Sequence, residues 1–176
     1  KQTGVDVRLS SEMVASDEPS PPTQWFTENT LPSSPVLIVD EVGRLAPLYL
    51  SAQVAFVGGS FRRKVHSVME PLAAGCLVVV GPHFNNSREA QTFSQVPVGP
   101  NPTLRNPGVP NPAVKAVISA NEFVHYLRSL HTSWKQSPNM FIDIRSKVRQ
   151  EIERRQGASD QVVAWIAEKS LKRNGL

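Results

Sequence analysis

A chain of 176 residues with 40% apolar content is long enough to bury one real core, and that composition excludes wholesale disorder. The net charge of +4, from 19 basic and 15 acidic residues, suits an anionic ligand or a membrane surface; it lacks the basic–aromatic interleaving of a nucleic-acid binder. A single cysteine, Cys76, rules out an intrachain disulfide framework and a cysteine-rich zinc site, and no apolar run approaches the roughly 20 residues that span a bilayer. No signal-peptide pattern opens the chain, and Lys1 in place of a start methionine is what a piece of a longer protein would show.

Residues 5–10 alternate as V-D-V-R-L-S, the signature of a half-buried strand after a turn at Gly4. Residues 16–35 are rich in Pro, Ser and Thr and read as a loop, which Trp25 and Phe26 pin to the core. Residues 36–39 read as a buried strand ended by Asp40. Gly43 permits a turn, and residues 45–51 predict a short helix with Pro47 in its first turn and Leu45, Leu48 and Tyr49 on one face.

The chain is organised around residues 54–86. Val54, Ala55, Phe56 and Val57 form an apolar run too short for a helix, as expected of a parallel strand buried on both faces. Gly58 and Gly59 end it; they admit positive φ and leave room for a ligand to approach the backbone. A loop over residues 60–65 carries Arg62, Arg63 and Lys64. A helix is expected from about His66 to Ala74 with Gly75 as its stop, then a second buried strand over residues 76–80, closed by Gly81 and Pro82. Strand, helix and strand make one βαβ unit, and ligands bind beyond the carboxyl ends of such strands. In that second strand Cys76 reads as a buried, inert thiol.

Residues 87–94 read as a helix capped by Asn85 or Asn86, and residues 95–112, with six prolines, as an irregular surface loop. Residues 114–118 are the last clear strand. Ser119 or Asn121 caps a helix bearing Phe123, Leu127 and Leu130. Ser137 and Pro138 open another helix, with Phe141, Ile144, Val148 and Ile152 on one stripe. After Gly157, Ser159 or Asp160 can recap a helix with Val162, Val163 and Ile166. The basic residues of this end, Arg145 and Arg149 among them, read as a solvated face. Alternating strands and helices imply an α/β layer structure with a mainly parallel sheet. Residues 1–136 then form the domain, and residues 137–176 are helices that pack on it or toward a further domain.

Glu70 is the strongest candidate for chemistry. An ionised carboxylate accepts through two oxygens, so it can hold both hydroxyls of a ribose. The start of the same helix, near His66 and Ser67, offers free N–H groups and a partial positive charge to a phosphate. The plainer alternative is that Glu70 stabilises the first turn of its helix through the dipole.

The ordered set of motifs resembles the C-terminal half of bacterial 3-deoxy-D-manno-octulosonic acid (Kdo) transferases, which are GT-B glycosyltransferases. The family pattern is approximately Asp-x-x-Gly-Glu-Leu, a short helix with Tyr and Ala, Ala-Phe-Val-Gly-Gly-Ser, Gly-Gly-His-Asn-x-x-Glu-Pro-x-x-x-Gly-x-Pro-Val and Gly-Pro-His. The match runs through Asp40, Gly43, Leu45, Tyr49, Ala52, Ala55 and its successors to Ser60, His66, Glu70, Pro71, Gly75, Val78, Gly81, Pro82, His83 and Asn86. Departures stand at Arg44, Lys64, Val65, Ser67 and Leu77. The resemblance implies a Rossmann-like three-layer parallel sheet and a donor site for CMP-Kdo. Gly58, Gly59 and Ser60 would line that site, and His66 and Ser67 would face the phosphate. Glu70 would hold the ribose, and Gly81, Pro82 and Asn86 would shape the other wall. It further implies inverting transfer of Kdo to a lipid A precursor at the cytoplasmic face of the inner membrane, without a metal or other cofactor and without nucleic acid. The catalytic base would lie in an N-terminal acceptor domain, so no catalytic residue is assigned here. A UDP-sugar transferase of the same fold, or a non-catalytic interaction module on a degenerate transferase scaffold, are the competing readings.

Overall fold

A computed structural model describes residues 7–9, 36–100 and 110–155. The expectations for residues 16–35, including Trp25 and Phe26, and for the segment after Gly157 lie outside the described residues. The elements are β1 (Val7–Leu9), β2 (Val36–Ile38), α1 (Leu45–Ser51), β3 (Val54–Phe56), α2 (Met69–Ala73), β4 (Leu77–Val80), α3 (Arg88–Phe93), β5 (Pro97–Pro100), β6 (Pro110–Pro112), β7 (Val114–Ala116), α4 (Ala120–Gln136) and α5 (Met140–Arg154).

Strands β3, β4 and β7 form a three-stranded parallel sheet in that order, with Ala55 beside Val78 and Val78 beside Val114. Strands β1 and β2 pair in parallel as a two-stranded sheet. Every residue of the central strand β4 is buried, which accounts for its unbroken apolar sequence Leu-Val-Val-Val. Helices cover both faces. Ala55 packs with Ala74 and Cys76 and with Tyr49 of α1 on one side, while the ring of Phe56 meets Phe123 of α4, centroids 5.1 Å apart, on the other. Successive strand residues point to opposite faces, so these two contacts place α1–α2 and α4 on either side of the sheet. The three-layer parallel α/β expectation is borne out.

Several local expectations are corrected. Residues 36–39 and 54–57 were expected to be buried strands, yet Val36 and Ile38 are exposed and Phe56 is 44% exposed. Strand β3 is an edge of its sheet, so of its residues and the one that follows only Ala55 and Val57 are fully buried, while Val54 is partly buried. Residues 95–112 are not an irregular loop at their ends: β5 and β6 pair antiparallel, with an irregularity between Pro97 and Gly99. Proline is tolerated there because a two-stranded ribbon is all edge. Val98 and Asn111 of this ribbon are buried, and the Tyr126 hydroxyl donates to Asn111 Oδ1 at 2.9 Å. Burial pushes the Tyr126 phenol up to about 12.

Helix α5 carries the expected stripe, with Ile144 and Val148 buried in the same core as Val78 and Tyr126. Its arginines are not all a solvated face. Arg145 donates to the carbonyls of Leu50 and Ala52, both at 2.8 Å, and so satisfies the end of α1. Arg149 donates to Ala74 O at 3.4 Å, at the end of α2.

Candidate functional site

The carboxyl ends of β3 and β4 are joined by the chain's own side chains. Ser60 is buried; its Oγ accepts the Gly81 N–H at 2.6 Å, and its carbonyl accepts the His83 N–H at 3.0 Å. Gly81 is required at this contact, since a Cβ there would come within 2.9 Å of the Phe61 ring and 3.0 Å of the Ser60 and Phe61 backbone. Pro82 is half-buried behind it and His83 is exposed.

From Ser60 the chain turns back over the twin glycine. The N–H groups of Arg62 and Arg63 donate to Gly59 O at 3.1 and 3.3 Å, and the His66 N–H donates to Gly58 O at 3.3 Å. Gly59 has φ +91°, and a Cβ on it would collide with the Lys64 carbonyl and lie 3.1 Å from His66 Cδ2. On the side where a Cβ would stand, the close approach that this glycine permits is made by the chain itself. Gly58 differs: a Cβ built there meets nothing within 4 Å among the described residues.

Asn86 completes the clamp. Its Oδ1 accepts the Val65 N–H and its Nδ2 donates to the Val65 carbonyl, both at 3.0 Å. Val65 is buried beneath this two-point contact. The expectation that Asn85 or Asn86 caps the next helix is corrected: Ser87 caps α3, accepting the Ala90 N–H at 3.0 Å.

The helix carrying Glu70 starts later than expected. It spans Met69–Ala73, with Val68 at its cap position and no side-chain capping bond. Pro71 explains the shift. It has no N–H to bond the Ser67 carbonyl, so the first helical bond is Leu72 N–H to Val68 O at 3.2 Å. His66 and Ser67, both exposed, belong to the loop and not to the first turn, and Ser67 does not cap. The C-terminal end follows expectation. Gly75 takes φ +83°, its N–H bonds Leu72 O at 2.8 Å, and the Cys76 N–H bonds Pro71 O at 2.9 Å.

Glu70 is exposed in the first turn of α2, and its carboxylate makes no hydrogen bond or ion pair with the described residues. Burial raises the Tyr49 phenol of α1, and the charge of Glu70 and then Cys76 add to that rise. Cys76 itself is buried, its Sγ 3.2 Å from Tyr49 O; burial raises its thiol against the lowering influence of Arg145 and Arg149, as expected of an inert cysteine. Among the described residues no group of three or more His, Cys, Asp or Glu side chains is placed to hold a metal ion.

The structure thus gathers Gly58, Gly59, Ser60, His66, Gly81 and Asn86 around one loop, with Ser67 and Glu70 leading out of it. Sequence reasoning missed the clamp by Asn86, whose signal was a short amide next to a better cap, Ser87. It also missed the arginine contacts of α5, which join residues 75 to 95 positions apart in the chain.

No protein-family model matches the chain. Curated relatives do. The 3-deoxy-D-manno-octulosonic acid transferase of Chlamydophila psittaci is 37% identical over 67 residues, 37% of this chain and 16% of that protein. The chain resembles the Kdo transferases over about a third of its length. The enzyme of the same name from Chlamydia pneumoniae is 42% identical over 57 residues, covering 31% of this chain and 13% of its own length. That from Bordetella pertussis is 43% identical over 60 residues, 34% of this chain and 14% of its own. The matched stretch spans about a sixth or less of these Kdo transferases. Among solved structures, the C-terminal CMP-Kdo binding domain of WaaA from Acinetobacter baumannii aligns with a TM-score of 0.46 at 22% identity, over 67% of this chain and 53% of that one. No helix among the described residues is long and apolar enough to cross a membrane.

Proposed function

We propose that this chain is the donor-binding half of an inverting GT-B glycosyltransferase that transfers Kdo from CMP-Kdo to a lipid A precursor. The observation that carries the reading is Glu70. It is an exposed carboxylate, without a hydrogen bond or ion pair among the described residues, on the helix that follows the turn after β3. It stands within a chain similar over part of its length to Kdo transferases.

In this reading Glu70 accepts hydrogen bonds from both ribose hydroxyls of the cytidine. The space above Gly58 admits the phosphate end of the donor, beside His66 and Ser67. Gly81, Pro82 and the clamped Asn86 form the opposite wall. Gly59 and Ser60 act by shaping the loop. A general base and the lipid acceptor come from another part of the protein, because inverting transfer needs base, acceptor and donor held in line. The chain alone therefore binds donor nucleotide without transferring sugar. The parent works at the cytoplasmic face of the bacterial inner membrane and needs no resident metal, with the lipid acceptor as its second partner.

Calorimetric titration of CMP into the 176-residue chain and into Glu70→Ala tests the reading. Measurable affinity in the first and its loss in the second is the expected result; equal affinity in both removes the ribose role. UMP competing as well as CMP would favour a UDP-sugar transferase. The crowding of Gly59 by the Lys64 carbonyl supports a second reading, a non-catalytic interaction module, which predicts no nucleotide-dependent thermal shift.

A further inference from the structure

The phosphate of the donor needs positive charge, and α2 is poorly equipped to supply it. The helix has five residues, lacks a side-chain cap and begins after His66 and Ser67. The loop over Gly59 carries three cations in a row instead. Arg62, Arg63 and Lys64 are exposed, and their side chains form no ion pair or hydrogen bond with the described residues. The charged groups paired elsewhere, such as Arg154 with Glu151, show that this freedom is not general.

The backbone bearing these cations is fixed at both ends. Ser60 is buried and bonded to Gly81, the Phe61 ring packs against Gly81, the Arg62 and Arg63 N–H groups bond Gly59 O, and Val65 is clamped by Asn86. Three like charges thus stand on consecutive residues of a fixed loop after β3, with no acidic side chain paired to them among the described residues. A polyanion offsets their mutual repulsion when it binds, and a prearranged loop loses little freedom in doing so. We propose that Arg62, Arg63 and Lys64 form the anion contact of the site and take the phosphate of a soluble nucleotide. This inference rests on the donor-binding reading above and assigns to side chains the charge recognition that the helix start was expected to provide.

The test is titration of the full chain and of the triple variant Arg62→Gln/Arg63→Gln/Lys64→Gln with CMP, cytidine, inorganic phosphate and phosphatidylglycerol vesicles. Thermal unfolding checks that the variant folds. The expected result is CMP and phosphate binding weakened roughly tenfold in the triple variant, with cytidine unchanged, since solvated ion contacts are individually modest. The wild-type affinity for CMP should fall with added salt and the variant's should not. The charge-preserving pair Arg62→Lys/Arg63→Lys should stay within about threefold of wild type, because a solvated charge and not a particular donor geometry makes the contact. CMP bound equally well by wild type and triple variant overturns the cation contact and leaves the Glu70 reading standing. Phosphate binding that the triple variant loses, with no binding of CMP, overturns the proposal, because the cations then hold an anion that is not a nucleotide. Binding to vesicles but to no soluble anion overturns the proposal in favour of a membrane surface, and no binding of any probe overturns both readings.

Discussion

The loop over Gly59 and the helix α2 are neighbours in the chain and are built in opposite ways. In the loop, polar groups resembling those of Kdo transferases are occupied by the protein itself: Ser60 bonds Gly81, and Asn86 grips Val65 on both its N–H and its carbonyl. On α2, Glu70 faces solvent with no bonding partner among the described residues. On the proposed reading, the difference separates residues that make the site's shape from the one offered to a ligand. A shared motif does not distinguish them, because a folding requirement and a binding requirement leave the same letters in the sequence.

Mutations that damage the loop should cost stability first. Gly59→Ala forces a Cβ toward the Lys64 carbonyl in a left-handed conformation, and destabilisation of about 3 kcal/mol is expected in denaturant unfolding. A change below about 0.5 kcal/mol would mean that the loop yields easily, and the comparison with α2 would lose its basis.

The scaffold beneath both stretches has its own signature in alkali. Tyr126 is raised to about 12 from 10.0 by burial, so the folded state keeps a proton that the unfolded state releases. Its contribution is complete below pH 10 and is lost as pH rises toward 12, about 3 kcal/mol in all. Cys76 and Tyr49, also raised, act in the same direction. Tyr126→Phe should flatten the stability profile over that window; an unchanged alkaline slope would show that the phenol is not the group titrating.

Ser60→Ala leaves the Gly81 N–H without a partner in a buried place, at an expected cost of about 2 kcal/mol. Asn86→Ala frees two Val65 backbone groups nearer the surface, about 1 kcal/mol by the same measurement. Either change should weaken CMP binding only by loosening the loop, so chemical shifts of residues 58–66 should move before any ligand is added. Glu70→Ala is the counterpart, with stability within about 0.5 kcal/mol of wild type. A larger loss would favour its plainer role at the start of α2.

Much of this was legible in the sequence where a local rule decides. The unbroken apolar run Leu77, Val78, Val79 and Val80 is a central parallel strand, and Gly75 ends a helix by the conformation it alone favours. Ser119 caps α4 as its position suggested. What failed depended on partners far away in the chain. Phe56 looks like its apolar neighbours, but β3 is an edge, so it is half-exposed. The start of α2 was misplaced because a missing N–H at Pro71 outweighed the attraction of His66 and Ser67 as a first turn. The prolines at Pro97 and Pro112 suggested an irregular surface loop, yet they sit in a ribbon held by the buried pair Asn111 and Tyr126.

The most direct measurement is a thermodynamic cycle between Glu70 and the ribose hydroxyls. CMP and its 2′,3′-dideoxy analogue are titrated into wild type and Glu70→Ala. Two hydrogen bonds to a carboxylate predict that wild type loses about twentyfold or more in affinity when the hydroxyls are removed. The variant should bind both nucleotides with the same low affinity. If both proteins lose equally on going to the dideoxy analogue, Glu70 does not hold the ribose, and the division between a shaping loop and a ligand-bearing helix is wrong.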